Sequence, residues 1–377
     1  MPDSHAFAVV CFSHLRWNFV FQRPQQLFSR CARERRVFFI EEPIFSDAAQ
    51  PSFQTSVVDG VTVVTPMIPH RERAHVRELL ERMIADVLCR FAIGRWIAWY
   101  YTPSALAFTR DMRSDLTVYD CMDELSLFAG ADPELVSLEA ELLVRADVVF
   151  TGGMSLHRSK EARHHNVHFF PSSVDVACFA RARETLREPE DHAALRRPRL
   201  GFYGVVDERM DLELIARAAS QRPDWSFIIV GPVVKIDPAS LPVRDNIYFL
   251  GAKRYEELPP YLAAWDLAIM PFAINEATRF ISPTKTLEYL AAYKRVISTP
   301  IADVVEPYGR NGLVDIVADA DQFIDRAEIL LHSAISAQWC QDVESLLAST
   351  SWDGTWNAMW DLVMEAYEPI ALTGSVA

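Results

Sequence analysis

Residues 280–296 read FISPTKTLEYLAAYKRV and place a lysine and a glutamate three positions apart near the start of a helix-like run, 284–293. A helix start offers unpaired N–H groups and a partial positive charge, which suits a diphosphate. Lys285 adds a point charge there. Glu288, one turn on, lies on the same face and can accept from a pair of sugar hydroxyls. Together they describe a clamp for a nucleotide sugar. The same residues also fit an amphipathic helix carrying an i,i+3 ion pair, so the local pattern leaves both readings open.

Two other clusters have chemical potential. Ser13-His14-Leu15-Arg16-Trp17-Asn18 follows an apolar run, and Gln22-Arg23-Pro24-Gln25-Gln26 opens the next helix-like stretch. Polar planar groups and an indole suit sugar recognition, and arginine suits a phosphate or carboxylate. Alternatively Trp17 is buried and Arg16 caps locally. Asp120-Cys121-Met122-Asp123-Glu124 follows another apolar run. Asp123 fits either acceptor hydroxyl binding or general-base work, and Asp120 fits equally a strand-end or N-cap role. His164-His165 with His168 lacks the carboxylate or cysteine partners of a metal site. Asp319-Ala320-Asp321 falls in a late helix-like region and reads as surface.

The elements that must position these groups alternate. Segments 7–12, 36–40, 61–65, 97–101, 117–119 and 148–151 are short apolar runs with little alternation, as expected of strands covered on both faces. Helical spacing fills 23–35, 74–91 and 133–145. The second of these carries the stripe Val76, Leu79, Leu80, Met83, Ile84, Val87, Leu88 and Phe91. The charged stretch 181–199 is the best candidate for a domain linker. The alternation then restarts, with strands expected at 200–203, 226–230, 247–250, 267–270 and 296–298 and helices at 212–219 and 258–264. Such alternation implies βαβ units and parallel sheets. Ligands of open α/β sheets bind at the carboxyl ends of strands. In the second half those ends are 204–209, 231–235, 251–255 and 271–285. Gly204 permits close backbone approach to a phosphate.

The segment 280–296 resembles the donor-binding motif of the GT-B glycosyltransferases, especially the retaining group 1 (GT4-like) family. Glu288-Tyr289-Leu290-Ala291-Ala292 fits the second half of that motif. Phe280 stands where the family's first glutamate is usual, and Tyr293 where glycine is usual. The Ser282-Pro283-x-Lys285 variant is similar to a polysaccharide-type branch of the superfamily. Val174-Asp175 with Phe179, the strand and glycine turn Arg199 to Gly204, the segment Tyr248 to Gly251 and the run Asp266 to Phe272 extend the resemblance over nearly the whole chain.

The resemblance implies an α/β GT-B fold: two Rossmann-like domains with parallel sheets facing a central cleft. Residues 1–185 would form the acceptor domain and 198–350 the donor domain. A C-terminal helix, 352–368, holding Trp352, Trp356 and Trp360 as core residues, would pack back on the first domain. Donor binding would fall to Gly204, Arg209, Gly251, Arg254, Ser282, Thr284, Lys285 and Glu288. For Arg209 the residues themselves leave open a pairing with Asp207 or Asp211. Acceptor binding would fall to His14, Arg16, Trp17, Arg23 and Asp123. Asp123, Arg209 and Lys285 are the catalytic candidates, the two cations stabilising charge that develops on a leaving diphosphate. The implied activity is hexosyl transfer, with retention, from a UDP- or GDP-type sugar to a glycan, lipid-linked or small-molecule acceptor. A sugar-nucleotide epimerase of the same fold and a catalytically silent binding subunit are the rivals. No cofactor or metal is expected.

Composition sets the outer bounds. A chain of 377 residues, half hydrophobic and 23% charged, calls for two folded domains rather than disorder. The net charge of −14 argues against nucleic acid as a partner, because phosphate backbones need clustered cations. Six scattered cysteines without a CxxC read as reduced thiols in a cytoplasmic protein. No apolar run approaches the ~18 residues that span a bilayer. The N-terminus lacks the basic region of a secretory signal. Arg71, Arg73, Arg77, Arg82, Arg90 and Arg95 around the apolar stripe fit peripheral contact with the inner face of a membrane. The interspersed Glu72, Glu78, Glu81 and Asp86 dilute that charge, and the stripe is long enough to be ordinary core instead.

Overall fold

The computed structural model describes the backbone of residues 7–374. The chain forms two compact units. Among the described residues, one comprises 7–126, 130–171 and 353–374, and the other 127–129 and 172–352.

The first unit is built on a nine-stranded sheet: β1 (Ala8–Ser13), β2 (Val37–Glu41), β3 (Ile44–Ser46), β4 (Ser52–Val58), β5 (Val61–Pro69), β6 (Trp96–Tyr100), β7 (Leu116–Cys121), β8 (Val148–Thr151) and β9 (Val167–Phe169). Their order is β3-β5-β2-β1-β6-β7-β8-β9, with β4 paired to β5. Every pairing is parallel except β4 to β5. The central strands are the apolar runs of the sequence. β1, β2 and β6 are buried at every position, as strands covered on both faces must be. β4 (SFQTSVV) is mostly exposed and mixes polar with apolar residues, so it gives no buried-run signal. Three-residue β3 and β9 are too short to give one.

The second unit carries a six-stranded, wholly parallel sheet: β10 (Arg199–Tyr203), β11 (Ser226–Val230), β12 (Ile247–Phe249), β13 (Leu267–Met270), β14 (Val296–Ser298) and β15 (Asp315–Ile316). The order is β12-β11-β10-β13-β14-β15. The sheet reverses its winding beside β10, so β10 and β13 flank the switch point where open α/β sheets bind ligands.

Two boundaries differ from the sequence reading. Residues 172–185 belong to the second unit rather than to a first domain ending at 185. Val174 and Phe179 are buried in the same core as Leu200 and Phe202, and the Phe179 ring stacks on Tyr203 at 6.2 Å. The charged stretch 181–199 is not a free linker. His192 and Arg199 are buried, Glu188 bonds both, and Asp191 accepts from Lys253 at 2.6 Å and from Tyr261 at 2.7 Å. Some of its charges pair within the stretch, and others, such as Asp191, meet partners distant in sequence, which composition alone does not reveal.

From residue 353 onward the helix Trp352–Gly374 lies with the first unit. Trp352, Trp356 and Trp360 are buried, and Trp356 packs 6.2 Å from Trp99. The stripe on helix Val76–Arg90 is likewise core. Leu79, Leu80 and Met83 pack with Ile68, and Ile84 and Val87 are fully buried. Several surrounding arginines are engaged: Arg77 with Glu134, Arg73 over Phe45, and Arg90 over Phe53. Among the described residues no helix is long and apolar enough to cross a membrane. With its apolar face spent on the core, the helix is expected to give no flotation with anionic vesicles at low salt. Salt-sensitive flotation would show that the arginines act on a lipid surface.

Candidate functional site

The carboxyl edge of the second sheet is drawn together by two glycines. Gly204, just beyond β10, has φ 146°, and Gly231, just beyond β11, has φ 150°. Both lie where side chains are rarely tolerated. The N–H of Gly204 donates to Val230 O at 2.8 Å, and that of Gly231 to Gly251 O at 2.8 Å. A Cβ on Gly231 would overlap the Gly204 carbonyl, and a Cβ on Gly204 would overlap the Lys285 side chain. Lys285 therefore lies directly over the Gly204 turn, with Nζ 5.7 Å from the Phe202 ring centre.

The loops beyond this edge are zipped by backbone pairing. Val206 N–H donates to Pro232 O at 2.9 Å, and Val234 N–H to Val206 O at 3.0 Å. Ala273 N–H donates to Arg209 O at 2.8 Å, which fixes the Arg209 backbone to the chain leaving β13. The Arg209 guanidinium binds the Asp207 carboxylate through Nε at 3.0 Å and Nη2 at 2.7 Å. Of the alternatives open in the sequence, the Asp207 pairing is the one formed. Arg209 and Lys235 both face the Phe128 ring, at 5.4 and 5.6 Å. Sequence reading had not singled out Lys235 as a cation at this edge. Its only local signal is its place two residues beyond Val233.

The helix bearing Lys285 and Glu288 runs Lys285–Ala291, shorter at both ends than the expected 284–293. Tyr293 closes it with φ 54°, taking the left-handed conformation usually left to glycine. Its ring lies under Arg183 at 3.6 Å, and its hydroxyl donates to Glu344 at 2.7 Å. Glu288 reaches across to the end of β10. It is buried, and its Oε2 accepts from the Tyr203 hydroxyl at 2.5 Å. Burial pushes its carboxyl above the usual range, opposed by the Tyr203 hydrogen bond and the Lys285 charge. Tyr203, missed as a site residue, is the last residue before the Gly204 turn.

The remaining donor candidates contribute less. Ser282 and Thr284 are half-buried ahead of the helix, and Thr284 makes no side-chain cap bond. Gly251 is exposed and supplies the carbonyl that Gly231 uses. Arg254 is 78% exposed and is spent on Glu257 in a local cap, at 3.1 Å.

In the first unit the structure divides the acceptor candidates. Trp17 is 4% exposed and packs edge-on against Phe39 at 5.0 Å, so it is a core residue and not a sugar platform. Arg23 is also corrected. It is 2% exposed and forms a two-pronged pair with the fully buried Asp120 at 3.0 and 3.1 Å, while donating to Phe170 O at 2.7 Å. Donor-rich types signalled recognition here, but an acid 97 residues away absorbs the charge. Arg16 is one-third exposed and binds Glu41 at 3.1 Å and the Glu42 carbonyl at 2.5 Å. His14 and Asp123 are half-buried at the carboxyl ends of β1 and β7, which the sheet order sets two strands apart. Glu124 instead pairs with buried Lys160 at 2.6 Å. Among the described residues no group of three His, Cys, Asp or Glu could hold a metal ion.

Residues 197–333, which hold β10 through the Lys285 helix and on past β15, match the family described as Glycosyl transferases group 1. A Bacillus subtilis (strain 168) relative, a putative teichuronic acid biosynthesis glycosyltransferase, TuaH, is 27% identical over 224 residues. That match covers 54% of this chain, and the chain spans about half the length (55%) of that curated relative. Among solved structures, sucrose-phosphate synthase from Thermosynechococcus elongatus superposes with TM-score 0.73 at 15% identity, covering 96% of this chain and all of the other. An Escherichia coli trehalose-6-phosphate protein bound with UDP-2-fluoro glucose gives TM-score 0.69 at 10% identity, over 94% and 98% of the two chains. These likenesses show the GT-B fold.

Proposed function

We propose that this chain moves a hexosyl group, with retention, from a UDP- or GDP-type sugar to a glycan, lipid-linked or small-molecule acceptor. One observation carries the reading: Lys285 lies over the left-handed Gly204 turn with the buried Glu288 a turn behind it. A diphosphate approaching the bare backbone of Gly204 meets the Lys285 ammonium, and Glu288 accepts from sugar hydroxyls. Arg209, held by Asp207 on the same loop beyond β10, supplies a second positive charge.

In the reaction the bond from the sugar's C1 to the diphosphate oxygen breaks as a bond from C1 to the acceptor oxygen forms on the same face. The acceptor proton passes to the leaving diphosphate. Negative charge grows on that group, and preorganised cations favour this state over the ground state. Lys285 and Arg209 fill that role, so the reading needs no metal. Asp123 is the first unit's candidate for binding the acceptor hydroxyl. The Bacillus relative's place in teichuronic acid biosynthesis supports a polymer-building acceptor.

Phe280, half-buried where group 1 enzymes usually carry a glutamate, favours a second reading, a silent subunit that binds the nucleotide without turnover. Thermal-shift screening of UDP- and GDP-sugars followed by product analysis separates the two. Stabilisation by a nucleotide sugar is expected, since a ligand raises apparent stability by mass action, with sugar transfer or slow donor hydrolysis. Stabilisation without any product supports the silent subunit. Epimer formation identifies an epimerase, and no stabilisation by any donor contradicts the site assignment.

A further inference from the structure

Tyr203 and Glu288 are 85 residues apart in the chain, yet their side chains meet in the buried interior of the second unit at 2.5 Å. The tyrosine ring has little freedom. Phe179 stacks on it with an interplanar angle of 8°, Tyr289 meets it edge-on at 5.0 Å, and Trp265 lies 6.1 Å away. Its own N–H donates to the Tyr289 hydroxyl at 3.0 Å. One residue at the end of β10 thus grips two consecutive residues of the Lys285–Ala291 helix, one through its backbone and one through its hydroxyl.

We propose that Tyr203 is a positioning residue for nucleotide binding: its hydroxyl holds Oε2 of Glu288 so that Oε1 is presented to the ribose hydroxyls. The inference rests on the donor-site reading above. Glutamate has rotatable bonds whose freedom is lost on binding, and a rigid donor removes that loss in advance. A short bond from a neutral hydroxyl to a carboxylate is among the stronger ones.

The hydroxyl also acts on charge. The groups facing Glu288 are Lys285 and Tyr289 on its own helix, Tyr203 from β10, and Cys178 from the helix Val176–Ala180. Burial pushes the Cys178 thiol up to about 11, so it stays neutral. Burial also pushes the Glu288 carboxyl up, and only the Tyr203 hydroxyl and Lys285 oppose it. Without the hydroxyl the carboxyl rises further, becomes protonated at a higher pH, and loses accepting capacity as pH falls.

Calorimetric titration of the full chain with UDP and with GDP, between about pH 5 and 8, tests this. Tyr203→Phe keeps the ring contacts and the Tyr289 bond. It is expected to weaken the nucleotide that binds by about tenfold at neutral pH, and more steeply toward low pH. Glu288→Gln is expected to be weakened with a flat pH profile. Wild-type affinity at every pH in Tyr203→Phe, beside a weakened Glu288→Gln, overturns the inference alone. Wild-type affinity in Glu288→Gln, or no binding of either nucleotide by the unaltered chain, overturns the donor-site reading and the inference with it. Where Tyr203→Phe fails to fold, Glu288→Asp replaces it, keeping the charge but withdrawing it from the hydroxyl. Loss equal to Glu288→Gln supports the inference, and wild-type affinity contradicts it.

Discussion

Gly231→Ala is expected to abolish nucleotide binding while the first unit stays folded. At φ 150° this position is open almost only to glycine, and an added Cβ would overlap the Gly204 carbonyl, which is backbone and cannot rotate away. Strain and overpacking together should cost about 3 kcal/mol or more, relieved only by moving one strand end against the other. The movement falls on the Gly204 turn that Lys285 covers, so damage reaches the diphosphate cradle directly. Calorimetry with UDP and GDP, with circular dichroism for the fold, checks it. Binding within twofold of wild type would show that the Gly204 turn is not part of the nucleotide site.

Asp120→Ala is expected to destabilise the first unit by about 3–5 kcal/mol, because it strands a charged Arg23 in the core. Both partners are essentially inaccessible, and Asp120 takes two of the guanidinium's hydrogen bonds. The cost comes from the orphaned charge rather than from the pair's net worth. The double change Arg23→Met with Asp120→Leu should therefore be milder than Asp120→Ala alone. Urea unfolding of the three variants measures this. Equal losses in single and double variants would contradict the buried-pair account.

These two expectations mark where the sequence was legible. Strands β1, β6, β10, β11 and β13 could be read because a strand buried on both faces must be a run of apolar residues. The Lys285–Glu288 spacing could be read because helix geometry places the two near each other. What could not be read depended on distant partners. Arg23 carries the same local signature as a ligand-binding arginine, and only Asp120 distinguishes the two. Trp17 needed Phe39 across the sheet to be recognised as core. The stretch 181–199 looked like a linker because its charges are visible and their partners, among them Lys253, Tyr261 and Asp266, are not. Tyr203 appeared as a strand residue, since nothing near it in sequence announces Glu288.

The central claim is that the Gly204 turn and Lys285 bind the nucleotide diphosphate. Its most direct test compares UDP and GDP binding by calorimetry in wild-type chain and Lys285→Ala. A charge-assisted contact of about 1.5–3 kcal/mol predicts at least a tenfold weaker Kd for the variant, with an unchanged melting temperature. Equal affinity in the two proteins would contradict the claim.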